Sequence, residues 1–148
     1  MSCPLIIAQY SIRGHPKRTE HWVLAALLSR TNARVYEIAG NYDTFTYSSS
    51  VVSDFGKSPD YCGGCYLANV PGDKLEWVHK QLKDVEIIRY DSNFDSQVWV
   101  MSAIRHLKDE GVITEKDINE RWVRDELSAD KERWEVAEDT IEERLFPV

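Results

Sequence analysis

The stretch "EHWVLAALLSRTNARVYEIAG", residues 20 to 40, decides how the rest of the chain is read. Its second half alternates, with Val35, Glu37 and Ala39 on one side and Tyr36 and Ile38 on the other, the period of two expected of a strand. Its first half, residues 20 to 29, is an unbroken apolar run in which Val, Leu and Ala satisfy both the helical and the strand period. The intervening "RTNA" has turn chemistry, and together the segments look like a β-hairpin. The hairpin begins on His21 followed by Trp22, which puts an ionisable ring where a strand enters the core. Glu37, in the partner strand, could reach that imidazole and fix its tautomer.

Outward from the hairpin, "PLIIAQYS" (4 to 11) reads as a buried strand broken by the polar "GHPKR". "TFTYSSSVVSDFG" (44 to 56) and "YCGGCYLANV" (61 to 70) are rich in aromatic and β-branched residues and predict two more strands. Leu75, Val78, Leu82 and Val85 then recur at three and four residues, the stripe of a surface helix. "EIIRY" (86 to 90) reads as a short strand. "SNFDSQVWVMSAIRHLKDEG" (92 to 111) opens on cap-forming residues, places Trp99, Ala103, Ile104 and Leu107 on one helical face, and ends at Gly111. The tail predicts helix from a cap at Thr114, in two pieces broken near "SAD" (128 to 130).

The chain of 148 residues is most simply one domain, long enough for a single sizeable core, with 43% hydrophobic and 29% charged residues. Its net charge of −7 is concentrated in residues 115 to 144, which carry twelve Asp and Glu against six Lys and Arg. That balance argues against nucleic acid or anionic membrane as a partner, since phosphate binding needs clustered cations. The largest basic cluster, "RGHPKR" (13 to 18), is too short to reverse it. No apolar run reaches the roughly 18 residues of a membrane span, and the N-terminus lacks the pattern of a secretory signal. A cytoplasmic location is the expectation. Three cysteines, an odd number, argue against a disulfide framework. "CGGC" has the spacing of half a zinc site or a redox pair, but a zinc site would have only Cys3 and a histidine to complete it, and a redox pair should open a helix. A tight bend or bulge explains its glycines better, so neither metal nor cofactor is expected.

Ser96 falls in the first turn of the helix after residue 92, beside unpaired amides and the positive end of the dipole. A cysteine there would ionise readily; a serine needs a positioned base. Of the four histidines, His15, His79 and His106 read as surface residues, which leaves His21.

The two patches together resemble the lecithin:retinol acyltransferase-like and small phospholipase/acyltransferase families. "EHWVLAALLSRTNARVYEIAG" resembles their His-Trp strand, turn and strand. "FDSQVWVMSAI" is similar to their Asn-Cys-Glu-His-Phe-Val helix start, and more so to the Asn-Cys-Gln-x-Trp-Val form of small fungal proteins. These are circularly permuted papain-like enzymes in which histidine precedes cysteine, the order found here. The resemblance covers about 20 to 40 and 92 to 108. It implies an α+β fold, a small antiparallel sheet packed against the helix that starts at Ser96; residues 112 to 148 read from their own pattern as an acidic helical extension. It also implies that Ser96 holds the nucleophile position, His21 the base and Glu37 the place of a second histidine, with Gln97, Trp22, Tyr10 and Asp95 lining a small-molecule site. Two departures bear on the chemistry: Ser96 stands for cysteine and Asp95 for asparagine. A serine loses the prepared thiolate–imidazolium pair, and a neighbouring carboxylate opposes an oxyanion. The expected activity is therefore acyl hydrolysis or transfer, or else acid–base isomerisation or cyclisation by His21 with Glu37. The competing reading is a non-catalytic module that binds a ligand or a protein partner, in which Ser96 is a helix-start residue and His21 a buried structural one.

Overall fold

The computed structural model describes residues 1–12, 20–41, 43–136 and 139–146; the basic cluster at 13 to 18, including His15, lies outside them. Within the described residues the fold is α+β. Strands β1 (Ser2–Ser11), β2 (Glu20–Leu27), β3 (Ala33–Ala39), β4 (Thr46–Val52) and β5 (Tyr61–Pro71) form one antiparallel sheet in the order β4-β3-β2-β1-β5. The first four make a meander. The chain then crosses from one edge to the other, where β5 pairs with β1.

Residues 20 to 29, ambiguous by period, are strand because their ladder partners lie on both sides: Leu24 pairs with Ile7 of β1 and with Tyr36 of β3. Burial on both faces explains the unbroken apolar run. One face of the sheet carries Leu5, Ile7, Trp22, Leu24, Tyr36 and Ile38, which pack with α1 (Leu75–Lys83), α2 (Ser96–Asp109) and α3 (Glu120–Glu135) into the larger core. The other face carries Ile6, Ala8, Val23, Ala25 and Val35, covered by Phe55, Tyr61 and Ile141 of the short α4 (Ile141–Leu145). Each large side chain buried in this way contributes about 1.5–3 kcal/mol.

The helical stripes fall as the sequence predicts except at Val85, which lies beyond the end of α1. Leu75, Val78 and Leu82 of α1 are buried, as are Trp99, Ala103, Ile104 and Leu107 of α2. Gly111, with φ +79°, supplies the left-handed residue after α2. Residues 112 to 146 are not merely appended: Ile113, Ile118, Val123 and Leu127 enter the larger core and Ile141 the smaller one.

Two local expectations are corrected. Residues 86 to 90 form no strand. That segment has no ladder partner; it is tied instead by the Arg89 guanidinium, which donates to the Phe45 carbonyl from Nε (3.1 Å) and Nη2 (2.8 Å). The C-terminal helix does not break at 128 to 130. α3 runs through it from an Asn119 cap, whose side chain accepts the Trp122 N–H, and not from Thr114. Asp130, in the expected break, is turned into the protein and only 3% exposed. No helix among the described residues is long and apolar enough to cross a membrane.

Candidate functional site

Strand β2 stays paired with β1 as far as Ser11–Glu20, but its pairing with β3 stops at Leu24–Tyr36. The two strands therefore part at the end where His21 lies. In an antiparallel ladder alternate residues send both backbone groups to the same neighbour, so Glu20 and Trp22, in step with Leu24, face the side that β3 has left. Those backbone groups are taken up by the start of α2. The Trp22 N–H donates to Ser96 Oγ (3.1 Å) and Gln97 Nε2 donates to the Glu20 carbonyl (2.9 Å). The two sequence patches thus do meet, and they meet through the backbone of β2. Ser96 is 5% exposed. The helix cap itself is Asp95, whose Oδ1 accepts the Val98 N–H at 2.9 Å.

Strand alternation then divides the candidate residues. Trp22 points toward the helices, where the Arg124 guanidinium lies 4.9 Å from its ring centroid. Arg124 also donates to Gln97 Oε1 (2.9 Å), and Lys131 pairs with Glu20 (2.8 Å). These residues line a polar cleft of about 330 Å³ whose cations are already paired.

His21 points to the opposite face. There Tyr10, His21, Val23, Val35, Glu37 and Val52 form the floor of a cavity of about 300 Å³. Asp54, Phe55, Gly56 and Ser58 form its wall, from the link that crosses between β4 and β5. The link is held by its own backbone, Phe55 N–H donating to the Thr31 carbonyl (2.9 Å) and Ser11 N–H to the Asp60 carbonyl (2.7 Å). Ser96 lines neither cavity, and no hydrogen bond joins it to His21. Of the proposed site residues, then, Tyr10, His21 and Glu37 share the cavity. Gln97 and Trp22 belong to the polar cleft, and Asp95 caps the helix between them.

The cavity's polar groups carry the marks of burial. Desolvation lowers the His21 imidazole below its usual value, with the Asp95 carboxylate partly opposing, so the neutral ring is favoured. Desolvation raises the Glu37 carboxyl. Tyr10 is pushed up to about 12, first by burial and then by Glu37, Glu142 and Cys62, and keeps its proton. His21 and Glu37 are each half-buried, and neither makes a hydrogen bond or an ion pair among the described residues. In particular Glu37 does not orient the imidazole by a hydrogen bond. Behind Tyr10 stands Tyr61, 5.5 Å away between ring centroids, whose hydroxyl donates to the buried Glu142 of α4.

Asp54, Phe55 and Ser58 were missed in the sequence because residues 44 to 56 read as one strand, whereas β4 ends at Val52; only the chain's need to carry β5 to the far edge puts the link over the sheet. The "CGGC" glycines do mark a bulge. The β1–β5 register shifts between Ala8 and Tyr10, and Gly63 has φ +110°. A Cβ on Gly63 would lie 2.5 Å from Asp130 Oδ2, and the Gly64 N–H donates to that oxygen at 2.7 Å. Cys3, Cys62 and Cys65 are buried free thiols. Burial raises all three, so none is an activated nucleophile.

In comparisons with known proteins, the chain matches no family model, no curated protein and no solved structure.

Proposed function

We propose that the protein is a small-molecule enzyme of permuted papain-like descent in which the chemistry has passed from the nucleophile position to the histidine. The observation that carries the reading is that two half-buried ionisable side chains, His21 and Glu37, face one apolar-walled cavity with their hydrogen-bonding capacity unspent. Such a pairing of unsatisfied polar groups with a cavity is the usual signature of a binding site. In this reading the neutral His21 ring takes a proton from one atom of the substrate and returns it at another, an isomerisation or a cyclisation without covalent intermediate. Glu37 and the Tyr10 hydroxyl hold the substrate's polar groups. Ser96 has no part in bond making, because its oxygen already accepts the Trp22 amide. The chain order of His21 and Ser96 and their meeting at β2 support the lineage. Buried free thiols suit a reducing compartment, and we assign the protein to the cytoplasm on that basis, with no nucleic-acid partner.

Small metabolites that shift the His21 ring resonances in NMR titrations would be incubated with the protein in D2O. The expected result is deuterium incorporation that His21→Ala abolishes and Ser96→Ala retains. Exchange that survives in His21→Ala, or labelling of Ser96 by an acyl-phosphonate, would overturn the reading. A second reading, a ligand-binding module without catalysis, is favoured by the lack of any hydrogen bond orienting the imidazole. It predicts binding with no exchange.

A further inference from the structure

The composition of the His21 cavity speaks to what it holds, and the argument here rests on that cavity being the ligand site. Its described lining offers the carboxylate of Glu37 within and that of Asp54 at the exposed rim, and no Lys or Arg among the described residues faces them there. The remaining walls are Val23, Val35 and Val52 together with two aromatic residues, Tyr10 and Phe55. The contrast with the cleft on the other face is direct: there Glu20 is matched by Lys131, and Gln97 by Arg124. A carboxylate drawn partly out of water is destabilised unless a cation or donors compensate it, and none of the described residues supplies either to Glu37. An anionic ligand would deepen that cost. A neutral one would leave it standing. A ligand bearing an ammonium would remove it, and aromatic faces at the wall add cation–π attraction to the same charge. The volume of about 300 Å³ is at the lower end of the roughly 300–1,000 Å³ of ligand pockets, which limits the ligand to a small molecule.

We propose that the His21 cavity recognises a small organic ammonium compound, with Glu37 as its counter-charge, the apolar and aromatic walls taking its hydrocarbon part, and His21 beside the atom that exchanges its proton. Glu37 is thus a specificity-determining residue: it selects the charge of the substrate.

The test uses the full chain at pH 7 and three probes of one shape: benzylamine, benzyl alcohol and benzoate. Binding is followed by titration of the His21 ring resonances. Benzylamine is expected to bind most tightly and benzoate least. Glu37→Gln, which keeps the side-chain shape, is expected to weaken benzylamine by about tenfold or more, because the ammonium loses its opposite charge, and to weaken benzyl alcohol much less. Benzyl alcohol or benzoate binding as tightly as benzylamine would overturn the charge assignment while leaving the cavity as a ligand site. An unchanged benzylamine affinity in Glu37→Gln would do the same. If none of the three perturbs His21, the cavity is not a ligand site and the enzyme reading falls with the inference.

Discussion

At the scale of single residues, Ser96 and His21 show how one position along a strand separates structure from chemistry. Ser96 Oγ accepts the N–H of Trp22, a backbone donor that lost its ladder partner when β3 turned away. A buried donor left unsatisfied costs about 1–3 kcal/mol, and Ser96→Ala is expected to lower stability by that amount in urea unfolding while leaving ligand binding at His21 intact. Wild-type stability in Ser96→Ala would mean that water or a neighbour replaces the hydroxyl, and the structural role assigned to Ser96 would be wrong. The alternation that sends Trp22 toward the helices and His21 away from them was legible in the sequence, since consecutive strand residues face opposite sides. What the sequence did not contain was the side on which α2 packs. Both candidate patches were therefore found, yet their side chains could not be assigned to one face or two.

At the scale of elements, the sheet and the helical tail are joined through Asp130. Its carboxylate accepts the Gly64 N–H and pairs with Arg144 (2.7 Å) and Arg133 (3.2 Å), linking α3, β5 and α4. Gly63 leaves room for it and adopts a φ that other residues resist. Gly63→Ala should cost about 2 kcal/mol or more from strain and collision together. Asp130→Ala should cost about 1–3 kcal/mol, because it leaves the buried Gly64 N–H without its acceptor. Because the collision disappears with the carboxylate, the double variant should be more stable than the sum of the two losses predicts; strict additivity by thermal melts would refute the contact. The regular part of this architecture was readable: the hairpin from its period of two, α1 and α2 from their stripes, the bulge from paired glycines. Asp130 was not, because within an acidic run a buried aspartate looks like a solvated one. Residues 86 to 90 failed for a related reason, since a short segment with paired isoleucines does not by itself supply a neighbouring strand.

At the scale of the whole molecule, the two faces of the sheet are covered unequally. Among the described residues, three helices close one, while the other is covered by the crossing link, the short α4 and Trp134 at the end of α3, and the cavity lies beside the link. An ionisable cavity of this kind is expected to lower stability, as sites often do. Glu37 makes the cost measurable. Burial raises its carboxyl above the usual 4.5, so the folded chain holds this proton more tightly than the unfolded chain does. The resulting contribution is fully present below pH 4.5 and is lost as pH rises through the raised value. Glutamine has nothing to lose over that interval. Glu37→Gln should therefore melt above wild type at pH 7, and the gap should close as pH falls below 4.5. His21 acts in the opposite sense: its lowered value gives a contribution complete above 6.5 and lost as pH falls through that lowered value, but it is common to both proteins and drops out of the comparison. Melting curves of the two proteins across this range decide the matter. A Glu37→Gln advantage that is absent at pH 7, or that persists undiminished in acid, would show that the Glu37 carboxylate is already compensated in the free protein.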